Sequence, residues 1–188
     1  MSLFLQNLNE QIALLGILNN LNTSVINAGE RASEVLQKGG KILFCGNGGS
    51  AADCQHLAAE LTGRFIKDRR PLAAMALTTD TSAITCIAND YSYDDIFARQ
   101  VMGLGRTGDL LIAISTSGNS KNVIRAVEES AKLGIHTIGL LGRDGGKLRI
   151  LCDNSIIVPS NITARIQEAH IMIGHTLCGL IEQRLGLV

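Results

Sequence analysis

One pattern recurs along the sequence and restricts the possible folds more than any other. A short apolar run is followed by a glycine- or serine-rich loop, and then by a segment with helical periodicity. The clearest copy is the run at 41–45 (KILFC), followed at once by glycine-rich residues 46–49 and by a helical pattern through Leu61 that stops at Gly63. Such units predict parallel strands that are connected through helices.

The same pattern returns further along the chain. Apolar runs lie at 72–77, 109–114 and 137–141, and they precede helical patterns at 82–89 and 120–133 and a loop at 143–146. A last apolar run at 155–158 comes before Pro159, and residues 163–185 are typical of a long terminal helix. Strands this uniformly apolar are buried on both faces. The sequence therefore predicts an α/β fold with a doubly wound parallel sheet and helices on both faces.

The first part of the chain is predicted to be helical. Residues 3–37 carry apolar side chains at helical spacing and end at Gly39 and Gly40, which indicates one or two helices. No internal boundary is visible, so we expect residues 1–188 to form a single domain. An apolar fraction of 46% is high for a lone monomer of this size. We therefore expect residues 1–40 and the terminal helix to contribute to packing between subunits.

Charge and cysteine content disfavour several classes of function. The chain has 17 basic and 17 acidic residues, so it carries no global charge that would attract nucleic acid or an anionic membrane. Five scattered cysteines without a CxxC pair argue against a disulfide framework and against a thiolate zinc site. A secretory signal requires basic residues near its start, and this chain has no lysine or arginine before Arg31. We expect a cytoplasmic protein that binds neither nucleic acid nor membrane.

Two predicted loops are suited to phosphate. Residues 45–50 read CGNGGS, and residues 115–120 read STSGNS. Ligands of open α/β sheets bind beyond the carboxyl ends of the strands, and glycines, helix N-termini and hydroxyls together bind phosphate oxygens. Either loop alone could instead turn the chain and cap a helix. Neither loop matches a Walker A or a dinucleotide fingerprint, so nucleotide binding is only weakly indicated.

Two clusters of ionisable residues accompany these loops. Asp53, His56, Glu60 and Arg64 recur at spacings of three and four, which places them on one helical face. A solvated charged face would show the same spacing, but the neighbouring phosphate loop favours a site. The terminal helix carries the second cluster, which includes two of the four histidines, and position alone does not choose between them. The members of this second cluster are Arg165, Gln167, Glu168, His170 and His175.

Taken together, these segments resemble the phosphoheptose isomerases, the sedoheptulose 7-phosphate isomerase family within the SIS (sugar isomerase) superfamily. The matching segments are CGNGGSAAD, QHLAAELTGRF, TDTSAITCIANDYSYDDIFARQV, ISTSGNS with the NVI that follows it, and ARIQEAHIMIGHTL. The resemblance covers nearly the whole chain. It implies the SIS fold and an aldose–ketose isomerase, an intramolecular oxidoreductase that converts D-sedoheptulose 7-phosphate to D-glycero-D-manno-heptose 7-phosphate. This reaction is the first step toward nucleotide-activated heptose (ADP-heptose) for lipopolysaccharide or capsule.

The resemblance also implies roles for particular residues. Glu60 and His175 match the acid/base pair of the family, which is a homotetramer with one zinc ion per subunit. The zinc ligands match His56, Glu60, Gln167 and His175. The substrate contacts match Asn47, Gly48, Gly49, Ser50, Arg64, Asn89, Asp90, Ser115, Thr116, Ser117, Ser120 and Gln167. Isomerisation needs a base for a carbon-bound proton and a stabilised enediolate, and a carboxylate, a histidine and a metal can fill these roles.

One feature of the implied site is left open. Gln167 and His175 are eight residues apart in the sequence, a rise of about 12 Å on a helix. They converge only if both side chains reach inward, or if neighbouring subunits complete the site.

Two alternatives share the motifs. The first is the non-catalytic SIS-domain regulator that associates with the replication initiator DnaA, but its family does not keep the acid/base pair that Glu60 and His175 form here. The second is an isomerase for arabinose 5-phosphate or glucosamine 6-phosphate. The HxxxE helix and the QEAHIMIGH segment favour a heptose substrate over these sugar phosphates. Ala164 stands where an aspartate often precedes the arginine of RIQE. This departure removes one expected contact with a sugar hydroxyl.

Overall fold

The structure is a computed structural model that describes residues 1–188, with eight α-helices and five β-strands. The helices are α1 (Leu3–Ile17), α2 (Asn22–Gln37), α3 (Gly49–Thr62), α4 (Thr81–Asp90), α5 (Ala98–Leu104), α6 (Lys121–Lys132), α7 (Leu148–Leu151) and α8 (Thr163–Arg184). The strands are β1 (Ile42–Gly46), β2 (Ala74–Ala76), β3 (Leu110–Ser115), β4 (His136–Gly142) and β5 (Asn154–Val158). Short 3₁₀ turns lie at Leu18–Leu21 and Tyr93–Asp95.

All neighbouring strands pair in parallel, in the spatial order β2-β1-β3-β4-β5. After β1 the chain adds β2 on one side, and it then crosses to place β3 on the other side of β1. Doubly wound sheets bind their ligands at such a reversal, outside the carboxyl ends of the strands. The predicted fold class is confirmed, and the reversal falls between the two strands that carry the polar loops.

Alternate strand residues face two separate helix layers. Ile42 and Phe44 belong to a core with α2, α3 and α8, whereas Leu43 and Cys45 belong to a second core with α4, α5, α6 and α7. Successive side chains of a strand point to opposite faces, so an entirely apolar strand is the sequence signature of a sheet that is covered twice. The uniform burial of β1 and β3 follows from this arrangement.

Three elements differ from the sequence expectations. Strand β2 is three residues long rather than covering 72–77, because the amide of Leu72 donates to the Leu61 carbonyl at the end of α3 instead of joining the sheet. Leu72 is apolar because it is buried beside α3, not because it belongs to a strand. Helices α5 and α7 were not predicted. They have seven and four residues, too few to display a helical period.

The two N-terminal helices have different surroundings. Helix α2 buries Val25, Ala28 and Leu36 in the core that it shares with α8. Helix α1 leaves large apolar side chains in solvent, among them Leu3 and Phe4, each 72% exposed. None of the eight helices has the length and apolar character that crossing a bilayer requires.

Candidate active site

The two polar loops lie side by side, as their positions in the sequence predict. In the register between β1 and β3, Gly46 pairs with Ile114, so both loops leave the sheet at the same level. A cavity of about 250 Å³ lies between them and the start of α8. Its lining consists of Asn47, Gly48, Gly49, Ser50, Ile114, Ser115, Thr116, Ser120, Thr163 and Gln167. Among these, only Ile114 and Thr163 had not been predicted as contacts. We refer to this cavity between the two loops as the loop cavity.

The chemistry of the loop cavity suits an anion. Helices α3 and α6 both begin at its wall, and helix N-termini carry partial positive charge and free amide donors. The Ser120 hydroxyl does not cap α6 but lies 3.1 Å from the Ser115 hydroxyl. A helix-capping role, which would have explained a serine at this position without any ligand, is therefore absent. Two helix ends and several hydroxyls together form a suitable phosphate site.

Two glycines in these loops are required by close backbone or side-chain approach. A Cβ atom at Gly49 would lie 2.5 Å from Nε2 of Gln167. A Cβ atom at Gly118 would lie 1.9 Å from the Gly145 carbonyl oxygen, and Gly118 has a φ of +65°. A side chain at Gly118 could fit only if the backbone moved, whereas a side chain at Gly49 would displace the Gln167 side chain from its present position. The first glycine thus lets α8 reach the loop cavity, and the second joins the loop after β3 to the loop after β4.

Asn47 is held by partners that the sequence analysis missed. Its side-chain amide exchanges two hydrogen bonds of 2.8 Å with the amide of Asn122, which is buried at the start of α6. The Tyr93 hydroxyl donates a third bond of 3.0 Å to the side-chain oxygen Oδ1 of Asn47. Asn122 is the second residue after the STSGNS loop, but a polar residue at the start of a helix ordinarily indicates solvent exposure. This network fixes the orientation of the first loop.

A second cluster lies further along α3 and α8. The ring nitrogen Nε2 of His56 lies 3.0 Å from Oε1 of Glu60 and 3.1 Å from Nε2 of His175. The ligand atoms of these three residues all lie within 4.8 Å of one another. Phe65 stacks on the His175 ring at a centroid distance of 5.5 Å. Two imidazole nitrogens and a carboxylate oxygen that converge in this way form a donor set that suits zinc. We call these three residues the His–Glu–His cluster.

Asp53 completes the charged face of α3. It lies one turn before His56, and its Oδ2 atom is buried without a hydrogen-bond partner. Burial raises the pKa of the Asp53 carboxyl above its ordinary value, while the nearby His56 and His175 act in the opposite direction. Its surroundings therefore couple Asp53 electrostatically to the two histidines.

Helices α3 and α8 lie against each other in one consistent register. Gly49 approaches Gln167, His56 meets His175, and a Cβ atom at Gly174 would lie 2.6 Å from the side chain of Leu57. Seven residues of α3 separate Gly49 from His56, a rise of about 10 Å. The loop cavity and the His–Glu–His cluster are thus two ends of one seam between these helices. Gln167 lies at the cavity end and His175 at the cluster end.

The structure distinguishes the two histidines of α8. His175 is half-buried at the cluster, whereas His170 is 1% exposed and its Nε2 lies 2.9 Å from the Leu141 carbonyl oxygen. Burial lowers the pKa of His170 to about 4, and the hydrogen bond with Leu141 acts in the opposite direction. His170 is therefore a neutral packed side chain near neutral pH. His175 alone faces the other ionisable residues.

Four of the predicted contact residues lie outside the loop cavity of this chain. The Ser117 hydroxyl accepts a hydrogen bond from the amide of Asn119, and so shapes the loop. Arg64 is exposed beyond the end of α3. Asn89 and Asp90 are exposed at the end of α4, where the Asn89 side chain donates to Asp90 at 2.8 Å. Hydrogen bonds from Asn89 and Cys86 hold the pKa of the Asp90 carboxyl below its usual value.

Comparison with protein families places the fold in a defined class. A model of the SIS domain family matches residues 8–142, which include both polar loops and the whole of α3. The parallel sheet and its paired loops therefore define an SIS-domain protein.

Comparison with individual proteins narrows this class. A phosphoheptose isomerase from a Nitratiruptor species is 63% identical over 150 residues, 80% of each chain. One from Aliarcobacter butzleri is 55% identical over 176 residues, 94% of this chain and 93% of that protein. The structure of a phosphoheptose isomerase from Neisseria gonorrhoeae, 47% identical, superimposes with a TM-score of 0.92 over 96% of this chain and 97% of the other. The chain belongs to the phosphoheptose isomerase family, as its motifs predicted.

The burial of His170 predicts a loss of stability in acid. The unfolded chain takes up the His170 proton near pH 6.5, whereas the folded chain does so only near pH 4. The free energy of unfolding therefore keeps its full value with respect to His170 above pH 6.5. It falls by about 3 kcal/mol in total as the pH decreases toward 4. In His170→Gln the amide can still donate to the Leu141 carbonyl but does not ionise. Urea unfolding at several pH values should show a smaller loss between these limits in the variant, and an unchanged loss would contradict this assignment.

Proposed function

We propose that this protein interconverts D-sedoheptulose 7-phosphate and D-glycero-D-manno-heptose 7-phosphate as an aldose–ketose isomerase. The observation that carries the proposal is the seam between α3 and α8. Along α3, the cluster lies about 10 Å (His56) to about 16 Å (Glu60) from Gly49 of the anion site. A substrate that bridges them carries its phosphate far from its carbonyl group, as a heptose 7-phosphate does.

The loop cavity is the proposed phosphate site. Backbone amides at the start of α3 and α6 would donate to the phosphate oxygens, together with hydroxyls that line the same cavity. Ser50, Ser115, Thr116 and Ser120 supply these hydroxyls. The Asn47–Asn122 pair would hold the first loop in place when the substrate binds. Gln167 would contact the sugar from the side of α8.

Glu60 and His175 are the proposed proton-transfer residues. In the direction from ketose to aldose, the Glu60 carboxylate takes a proton from C1 and returns it to C2. His175 moves the corresponding proton between the two substrate oxygens, so that the carbonyl shifts from C2 to C1. Both side chains contact His56, which keeps the two proton-transfer groups together. This pairing favours catalysis over the non-catalytic DnaA-associated alternative.

The His–Glu–His cluster is also the proposed zinc site, with one ion per subunit. His56, Glu60 and His175 would supply three ligands. Gln167, the fourth ligand that the resemblance implies, lies against Gly49 at the cavity end of the seam and would have to move to reach the same ion. When bound, zinc contributes positive charge that stabilises negative charge developing on the substrate oxygens. Asp53, half-buried near the two histidines, would add to the negative potential that favours a cation here.

Self-association as a homotetramer is the third part of the proposal. An open apolar groove beside His175 is lined by α8 and by the segment after α3, and helix α1 exposes further apolar side chains. Exposed apolar patches of this kind mark interaction surfaces. The candidate contacts that lie outside the loop cavity, Arg64, Asn89 and Asp90, would then reach the site of a neighbouring subunit.

The proposed cellular setting is the cytoplasm, where the product would supply nucleotide-activated heptose for lipopolysaccharide or capsule. All five cysteines are free, and four are buried. Burial raises the pKa of Cys152 and Cys178 to about 12. These thiols are therefore protonated and unreactive, which suits a reducing compartment.

Incubation with sedoheptulose 7-phosphate tests the activity directly. We expect an aldose product from this substrate, and much slower turnover of arabinose 5-phosphate and fructose 6-phosphate assayed in parallel. Glu60→Gln should lower turnover by about 10²- to 10⁴-fold, because an amide cannot accept the carbon-bound proton. Substrate binding, measured by calorimetry, should be nearly unchanged in this variant.

The matched control is Glu128→Gln, which makes the same change on the exposed face of α6, outside the loop cavity and the His–Glu–His cluster. This control should turn over like the unaltered chain. Near-normal turnover in Glu60→Gln would refute the role of Glu60. Preference for arabinose 5-phosphate would refute the heptose assignment.

Removal of metal tests the zinc site. Prolonged dialysis against a chelator should lower activity, because the positive charge that stabilises the developing oxyanion is lost. Stoichiometric zinc should restore activity, and His56→Gln should prevent the restoration. Activity that does not respond to chelation would exclude the metal from the reaction.

Sedimentation tests the self-association. Equilibrium runs at micromolar concentration should give a mass four times the 20.0 kDa of the chain. The exposed apolar side chains of α1 should be required, so Phe4→Glu should shift the distribution toward smaller species. A monomer in the unaltered chain would remove this part of the proposal.

A further inference from the structure

One buried ion pair lies just beyond the His–Glu–His cluster and has no role in the chemistry described so far. The Arg69 and Glu182 side chains are 2% and 0% exposed, and Nε of Arg69 lies 2.8 Å from Oε1 of Glu182. Glu182 is on α8, two helical turns after His175, and Arg69 is in the segment that follows α3. The pair therefore joins the two elements that carry the proposed proton-transfer residues.

Arg69 binds the end of α3. Its Nη2 atom donates to the Glu60 carbonyl oxygen at 2.7 Å, and its Nη1 atom donates to the carbonyl oxygens of Leu61 and Gly63 at 2.8 and 2.7 Å. The last carbonyls of a helix lack partners within the helix, and the planar guanidinium supplies them here with several donors at once. The backbone of Glu60 is consequently fixed by a charged group.

Glu182 binds the segment after α3. Its two carboxylate oxygens accept hydrogen bonds of 3.1 Å from the amides of Phe65 and Ile66. The Phe65 ring stacks on His175, so Glu182 also sets the surface against which His175 rests. Arg64 lies between two residues whose backbones the pair holds, Gly63 and Phe65. The pair therefore contacts the backbone of Glu60 and the backbone on both sides of Arg64. It also contacts the backbone of Phe65, whose ring stacks on His175.

We propose that Arg69 and Glu182 are positioning residues that set the geometry of Glu60 against His175, in addition to stabilising the fold. The proposal rests on the isomerase function proposed above. A full carboxylate and a full guanidinium are costly to bury, and an apolar pair could fill the same space. Only the charged pair can satisfy the carbonyls at the end of α3 and the amides of the next segment together. Displacing a catalytic group by about 1 Å costs about 100-fold in rate.

The chain provides a matched control at the amino ends of the central strands. Asp109, 3% exposed, accepts hydrogen bonds from the amides of Lys41 and Arg106 and pairs with the Lys41 ammonium. This buried carboxylate therefore binds two backbone amides and one cation, as Glu182 does. It precedes β3, and none of its hydrogen-bond partners belongs to the loop cavity or to the His–Glu–His cluster. A purely structural role would make Asp109→Asn and Glu182→Gln equivalent.

The test compares Glu182→Gln, Arg69→Lys and Asp109→Asn with the unaltered chain. Melting curves give the folded fraction, and kcat and KM for sedoheptulose 7-phosphate are measured where each variant is folded. We expect kcat to fall by about 100-fold in Glu182→Gln. We expect a smaller fall in Arg69→Lys, because an ammonium retains the charge but not the planar set of donors. Asp109→Asn should melt at a lower temperature and keep its kcat.

A second measurement does not depend on activity. Calorimetric titration with zinc alone reports on the His–Glu–His cluster, and loss of groups that support metal ligands weakens binding by about 10- to 100-fold. Weaker zinc binding in Glu182→Gln and Arg69→Lys, with unaltered binding in Asp109→Asn, would support the positioning role even if sedoheptulose 7-phosphate were not the substrate. If Glu182→Gln does not fold, Arg69→Lys decides. Unaltered kcat and zinc binding in the folded pair variants, or equal losses in Asp109→Asn, would overturn the proposal.

Discussion

The contact between α3 and α8 is the constraint on which the rest of the site depends. The two helices approach closely because Gly49 leaves room for Gln167 and Gly174 leaves room for Leu57. That register places His56 against His175 and leaves both loops at the same end of the helix pair. A shift by one residue would rotate the side chains of α8 by about 100° and separate the two histidines. The sheet supports this arrangement by bringing the carboxyl ends of β1 and β3 together.

Much of the architecture could be predicted from the sequence because it repeats a simple physical rule. Apolar strands that are followed by glycine-rich turns and helices can bury their backbones only in a parallel sheet covered twice, and β1, β3 and β4 follow this rule. The meeting of the two polar loops follows from the rule as well, since both come after central strands. Eight of the predicted contact residues line one cavity for this reason. Composition alone did not indicate the chemistry, which depended on the recognisable motifs.

The remaining features depend on contacts that are distant in sequence. Asn122 and Tyr93 bind Asn47 across separations of 75 and 46 residues, and no local pattern predicts such partners. The positions of His170 and His175 in the sequence did not distinguish them either, although the resemblance assigned the catalytic role to His175. Both occupy one helix, but one packs under β4 with a backbone carbonyl as its partner, whereas the other meets the face of α3. The burial of Glu182 is a third case, because a glutamate near the end of a helix ordinarily faces solvent.

The contact between Gly118 and Gly145 limits how this site could be redesigned. The backbone of the loop after β3 rests directly on the loop after β4, so a side chain added at Gly118 or Gly146 would displace the other loop. Changes to these two loops therefore offer little space for a different sugar. On the other side, Thr163 at the start of α8 lines the loop cavity with an exposed side chain, and Ala164, also exposed, follows it. Under the proposed function, we expect the start of α8 to set the range of sugars that fit and the two loops to hold the phosphate.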